Sequence, residues 1–150
     1  MIKFRAWDKV EKEWLSIRTI GFDDDGSLWY LQAWDDNEND IDPPYLVDDL
    51  GVKWELSQST GLKDKNGVEI FENNIVNVHE FINVGGIEGY KEGEKETIGI
   101  IKYGCLYDSP IPEWYLKTKD DCVSFSYMDL HEESFEVIGN KFEHPNLLKE

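Results

Sequence analysis

Asp35, Asn37 and Asn39 place side-chain oxygens at alternate positions, the spacing that opens a calcium-binding loop. The template then breaks down. Asp40 stands where the loop needs glycine for its sharp turn, and Leu46 occupies the position of the closing bidentate glutamate. His79, His131 and His144 are dispersed, with no His-Glu-x-x-His pattern, and Cys105 and Cys122 form no Cys-x-x-Cys pair, so no zinc ligand set is spelled out. Gly85, Gly86 and Gly89 do not open a helix whose N-terminus could hold a phosphate. Ser57, Ser59 and Thr60 have no base beside them in the sequence and suit the end of a strand and a turn. Carboxylates are so numerous that pairing any two for acid–base work would be arbitrary. No catalytic residue, metal ligand or cofactor is therefore assigned, and the expectation is a non-enzymatic protein.

What the chain does carry is charge and aromatic surface. Lys and Arg total 15 against 32 Asp and Glu, a formal net charge of −17. At long range that charge repels nucleic-acid backbones and anionic membrane surfaces, and it attracts basic proteins. Trp7, Trp14, Trp29, Tyr30 and Trp34 crowd the N-terminal third, more ring area than so short a piece can enclose. Trp29 and Trp34 with Asp35, Asp36, Glu38, Asp40 and Asp42 are thus the candidate partner surface, for another protein or a second copy of the chain. Two alternatives stand beside it. Ordered carboxylates can imitate DNA and occupy a basic site on a DNA-binding protein. Lys63, Lys65, Lys117 and Lys119 could instead make a local nucleic-acid patch on a small barrel, or simply flank solvated turns.

Positioning any such surface is the work of short strands. Ile2–Ala6 alternates apolar with basic residues, and Trp14–Arg18 resumes the alternation with Leu15 and Ile17 inward, predicting a hairpin around the charged loop 8–13. Asp23, Asp24, Asp25 and Gly26 mark a turn before a strand over 28–34. The acidic stretch from Asp35 to Pro44 has little to bury and reads as a loop and linker, with a short helical turn expected over 45–50. A second piece is expected to begin near Val52 with a strand over 53–57. Asn66 and Gly67 predict a two-residue primed turn, with both residues at positive φ, followed by a bend at 72–74 and a strand over 75–82 with Val76 and Val78 on one face. Residues 85–96, rich in Gly and Glu, read as a mobile loop. Strands are expected over 97–103, 114–118, 122–127 and 135–139, and one helical turn after Pro145. The expectation is a mainly β chain of two small subdomains: residues 1–50, including the acidic loop and linker 35–50, and residues 51–150. The latter should form a barrel-like sheet, an SH3-like arrangement among its options, with few short helices.

Met1–Asp8 contains no apolar core of signal-peptide length and no run is long enough to cross a bilayer, so neither secretion nor membrane insertion is expected. Two free thiols fit a reducing cytoplasm.

The run from Thr60 to Val76, with Gly61, Leu62, Asp64, Asn66 and Gly67 at its turn, resembles the signature of the YopX family of bacteriophage and prophage proteins. The opening Lys3–Asp8, the strand Ile98–Tyr103 with its Gly99, and the close Phe135–Asn140 followed by His144–Leu148 resemble that family too. The similarity therefore spans nearly the whole chain. Asn73 and Asn74 stand where members commonly have Gly and Asp, and Ser59 where an aromatic is usual. Because Asn tolerates positive φ, the bend should persist, whereas any contact of the missing carboxylate is in question. The resemblance implies a phage-encoded, largely β protein in the host cytoplasm with a small barrel-like C-terminal part, and it implies no catalytic residues.

Overall fold

A computed structural model describes residues 3–34, 44–86, 89–127 and 134–148. The chain is mainly β, as expected. Twelve strands occur among the described residues, and helical structure there is confined to short 3₁₀ turns at Val47–Asp49, Phe125–Tyr127 and Pro145–Leu148. The chain divides into two units, Met1–Gln58 and Ser59–Glu150. The division falls inside a strand rather than at the expected 50/51 boundary.

In the N-terminal unit, β1 (Phe4–Asp8) pairs antiparallel with β2 (Glu13–Leu15) and with the first part of β6 (Trp54–Lys63), in register from Phe4↔Gln58 to Asp8↔Trp54. That pairing explains the shifted boundary. Trp54 is fully buried among Ala6 and Leu31, with Leu15, Ile17, Ile20, Leu28, Tyr45 and Leu56 around them, so the strand over 54–58 completes the first core. The indole N–H of Trp54 donates to the Leu46 carbonyl at 2.8 Å, so its burial leaves that donor satisfied. A second sheet runs β3 (Ile17–Phe22), β4 (Leu28–Ala33), β5 (Tyr45–Leu46). Residues 45–49, expected as linker, pack here through Tyr45, whose hydroxyl donates to Asp8 Oδ2 at 2.8 Å. Residues 35–43 of the acidic loop lie outside the described residues.

In the C-terminal unit, five antiparallel strands are ordered β11 (Cys122–Ser124), β10 (Pro112–Lys117), β9 (Gly89–Cys105), β8 (Asn74–Gly86), β12 (Phe135–Asn140). The sheet curls into a half-barrel. Its core is Ile70, Val76, Val78, Ile101, Leu116 and Phe135. Val76 and Val78 share one face of β8, as the alternation predicts.

Two expectations are corrected here. Residues 85–86 and 89–96 are strand and not loop: β8 and β9 pair from Ile75↔Ile100 out to Gly86↔Gly89, and residues 87–88 lie outside the described residues. The outer part of such a two-stranded ribbon can be solvated on both faces, so no apolar alternation is required and Gly with Glu conceals the strand. His79 sits opposite Glu96 in that ladder, its Nδ1 3.7 Å from the carboxylate. Second, the Asn66–Gly67 turn is not a two-residue primed turn. Of the two residues only Gly67 has positive φ (81°), Gly67 N–H donates to the Asp64 carbonyl and Asp64 N–H to the Val68 carbonyl. That is a three-residue loop in which a left-handed glycine closes an ordinary turn. The same bonds recur at Asp23–Ser27, where Gly26 has φ 87°.

Candidate functional site

Strand β4 presents Trp29 through a defect in its pairing. Gly21 faces Tyr30 and Phe22 faces Leu28, so Trp29 is an extra residue with no partner position. Such a bulge reverses the alternation of side chains. Leu31, Ala33 and, beyond the bulge, Leu28 all point to the core, whereas Trp29 is turned outward and is 55% exposed. Its ring meets Tyr30 edge to face, centroids 5.2 Å apart. Tyr30 in turn lies over Gly21, where a Cβ would come within 2.1 Å of the ring, so only glycine admits this arrangement. Leu46, opposite Tyr30 on β5 and 43% exposed, extends the apolar face.

Trp34 belongs to a different place. A second bulge, at Arg18 in β3, breaks the ladder between Ile17↔Ala33 and Thr19↔Gln32, and the Arg18 guanidinium lies 5.2 Å from the Trp34 ring centroid. The two tryptophans are five positions apart, roughly 17 Å along an extended strand. The structure therefore does not merge them into one patch. Asp35, Asp36, Glu38, Asp40 and Asp42 lie outside the described residues.

The signature turn is built as an internal tie. Asp64 is 4% exposed, and its Oδ1 accepts from the N–H groups of Asn66 (2.9 Å) and Val68 (2.8 Å) while Oδ2 accepts from Val137 N–H on β12 (2.9 Å). Lys65 N–H donates to the Phe135 carbonyl at 3.0 Å, and the Lys65 ammonium meets Glu136 at 3.2 Å. Gly61 has φ 81° where β6 accommodates extra residues between Ser59↔Phe71 and Lys63↔Glu69. Leu62, 42% exposed, donates its N–H to Thr60 Oγ1, and Ser59 Oγ accepts from Gly61 N–H at 3.1 Å. Asn73 takes φ 72°, so the bend persists, and Asn74 Oδ1 accepts from Phe71 N–H at 2.7 Å. An amide oxygen thus does what a carboxylate oxygen at that position could do.

Sequence reasoning missed a cleft in the C-terminal unit. Ile98, Ile100 and Lys102 alternate along β9 and so share the face opposite Ile101. Lys117 stands opposite Ile100 on β10, Thr118 and Lys119 continue into the following turn, and Leu147 and Leu148 of the last 3₁₀ turn complete a cleft of about 590 Å³. The tail is positioned by Asn140, whose Oδ1 accepts from the N–H groups of Phe142 (3.0 Å) and Glu143 (2.9 Å), and by His144, whose Nδ1 accepts from Asn140 N–H at 3.2 Å. Gly139 leaves room for that imidazole, since a Cβ there would come within 2.8 Å of it. Of the four lysines considered in sequence, Lys117 and Lys119 line this cleft, joined by Lys102, while Lys63 and Lys65 sit on the hairpin between β6 and β7 (Glu69–Phe71). The alternation of Ile98, Ile100 and Lys102 was a visible signal, but its other walls come from residues up to 50 positions away (98 against 148).

What these surfaces offer chemically is binding: an exposed ring with apolar neighbours in one unit, and an apolar floor edged by ammonium groups in the other. Among the described residues no group of three or more His, Cys, Asp or Glu converges in a way that could hold a metal ion. No helix there is long and apolar enough to cross a membrane.

A family profile described as YopX protein matches residues 3–149. The crystal structure of protein EF1440 from Enterococcus faecalis is similar over 99% of this chain and 99% of its own, with 27% sequence identity and a TM-score of 0.53. No curated protein matches the chain.

Proposed function

The chain belongs to the YopX protein family, and from that premise we propose that it is a non-enzymatic accessory protein of a bacteriophage or prophage that acts by binding another protein. The observation that carries this reading is the bulge in β4. A regular strand would send Trp29 into the core with Leu31 and Ala33; the inserted residue turns it into solvent against Tyr30 and beside Leu46. An outward tryptophan in a small apolar patch is the composition of a binding hot spot, because one large rigid ring loses little entropy and much water on docking. The net charge of −17 favours a partner with a basic rim around its apolar centre. Such a protein works at the reducing interior of the bacterial host.

Affinity capture from host extract with the wild-type chain and with Trp29→Ala tests this. We expect one or more proteins retained by the wild type and lost from the variant, whose fold is preserved because the residue is exposed. Equal recovery on both, or no protein above background on either, removes the reading. Light scattering on the free chain separates self-assembly from a foreign partner, since an assembly dispersed by Trp29→Ala identifies a second copy as the occupant.

A further inference from the structure

In the C-terminal sheet one edge of β9 has no strand paired to it, among the described residues, beyond the end of β10. The β10 ladder stops at Lys117↔Ile100, while the β8 ladder on the other side runs on to Gly86↔Gly89. Which backbone groups face that open edge follows from His79. Its N–H donates to the Ser134 carbonyl at 2.8 Å, away from β9, so His79 and its partner Glu96 exchange no ladder bonds, and Glu96 turns its own N–H and C=O to the open edge. By alternation Glu94 and Ile98 do the same. Unpaired edge groups of this kind are a template for another strand. The three residues also share one face of β9. The Glu94 and Glu96 side chains are 64% and 65% exposed, and Ile98 is 48% exposed. The His79 ring lies between the two carboxylates, 3.9 Å from Glu94 and 3.7 Å from Glu96. Those separations exceed hydrogen-bond length, and a carboxylate has about four acceptor sites, so both retain room for further donors.

We propose that this edge, residues 94–98 of β9, is a strand-addition site for an extended basic segment of a partner protein. The segment pairs antiparallel with β9 and sets lysine or arginine opposite Glu94 and Glu96, with an apolar residue opposite Ile98. Main-chain hydrogen bonds hold the added strand, and the cross-strand side chains choose it. Charge complementarity selects this occupant over the other strands available. An acidic segment would bring carboxylates directly against Glu94 and Glu96. A second copy of the chain fails for a related reason: two-fold antiparallel pairing keeps the faces in line, so wherever it is centred within residues 94–96 it sets Glu opposite Glu or Lys95 opposite Lys95. The net charge of −17 acts in the same sense as the local pairs, drawing a basic segment in from a distance. The site shares no residue with the Trp29 face and stands or falls separately from it.

The test uses the full chain and three fluorescein-labelled peptides in anisotropy titrations. One alternates lysine and threonine, the second has glutamate for lysine, and the third is the lysine peptide methylated on the backbone nitrogen of each lysine, which keeps the charge and removes the donors that would meet Glu94 and Glu96. The lysine peptide should bind saturably and weaken as salt rises, and the other two should bind at least about tenfold more weakly. Glu94→Lys with Glu96→Lys, two exposed positions, should weaken it by a similar factor, whereas Trp29→Ala should leave it unchanged. Far-ultraviolet circular dichroism confirms that both variants are folded. On the unaltered chain, amide exchange followed by nuclear magnetic resonance should slow at Glu94, Glu96 and Ile98 once the lysine peptide is bound, because their N–H groups then leave water for a ladder. No saturable binding of the lysine peptide, or equal binding of its glutamate counterpart, overturns the proposal. So does binding that survives backbone methylation or the double charge reversal, or exchange at those three amides that the peptide does not slow.

Discussion

At the scale of single residues, polar groups that invite a functional reading turn out to hold backbone in place. Asp64 is the clearest: three main-chain N–H groups converge on one buried carboxylate. Removing it leaves those donors without an acceptor in a region they cannot leave, so Asp64→Ala should cost about 3 kcal/mol, against less than about 0.5 kcal/mol for the neighbouring exposed pair broken by Lys65→Ala. Urea unfolding of the two variants measures the difference, and equal midpoints would contradict it. Tyr107 and Asp121 make a second, exposed tie at 2.8 Å. The bond to Asp121 and its negative charge push the Tyr107 phenol above its ordinary range, while the hydrogen bonds from Tyr107 and then from the Cys122 N–H hold the Asp121 carboxyl below its own. The signs fix a window. The tie is fully present between the ordinary carboxyl and ordinary phenol values; it is lost as pH falls through the depressed Asp121 value or rises through the raised Tyr107 value. Alkaline titration of tyrosinate absorbance should therefore show Tyr107 titrating late, as does Tyr115, which burial raises, and Asp121→Asn should move Tyr107 earlier. Residue identity foretold part of this. An Asp-x-Asn-Gly string announces a turn, but that its carboxylate also reaches Val137, 73 positions on, is not written locally.

At the scale of elements, period-two patterning located most strands and failed where the pairing itself is irregular or unsupported. The alternation of Val76 and Val78 and the β-branched run after Thr97 exist because one face of each is buried, so the pattern could be read. The outer part of the β8–β9 ribbon carries no such requirement, and the bulges at Arg18 and Trp29 shift parity in a way that only the partner strand reveals. Gly99 shows how closely the elements are fitted. It faces Val76 on β8, and a Cβ there would lie 2.7 Å from Leu116 Cδ1 and 2.9 Å from the Lys117 carbonyl oxygen. Gly99→Ala should therefore push β9 and β10 apart and destabilise the chain by about 2 kcal/mol, the ordinary cost of overfilling a packed site. Combining it with Leu116→Ala, which by itself empties part of the core, should cost less than the two changes added, because the methyl then enters vacated space. Strict additivity in a denaturation cycle would show that the two side chains do not compete for the same volume. The cleft lies on the other face of these strands, so its lysines and isoleucines are aligned by the same pairing that Gly99 permits.

At the scale of the whole molecule, two facts were accessible from composition and one was not. The aromatic content required a folded chain, and each unit has its own buried cluster, around Trp54 in one and around Val76, Ile101 and Leu116 in the other. The chain boundary moved to 58/59 because Trp54 and Leu56 serve the first core, which no linker composition could signal. The excess of acidic residues was plain, whereas the grouping of Lys102, Lys117 and Lys119 with apolar walls depends on a strand, a turn and a tail brought together by folding. A net charge of −17 repels itself more strongly in the compact state than in the expanded one, so screening should stabilise the fold, raising the thermal midpoint as ionic strength goes from about 0.01 M, where the Debye length is ~30 Å, to about 0.15 M, where it is ~8 Å. Scanning calorimetry over a salt series measures the effect. A thermal midpoint that falls with salt would mean that attractive pairs outweigh the repulsion, and the acidic excess would then have to be locally compensated across the surface.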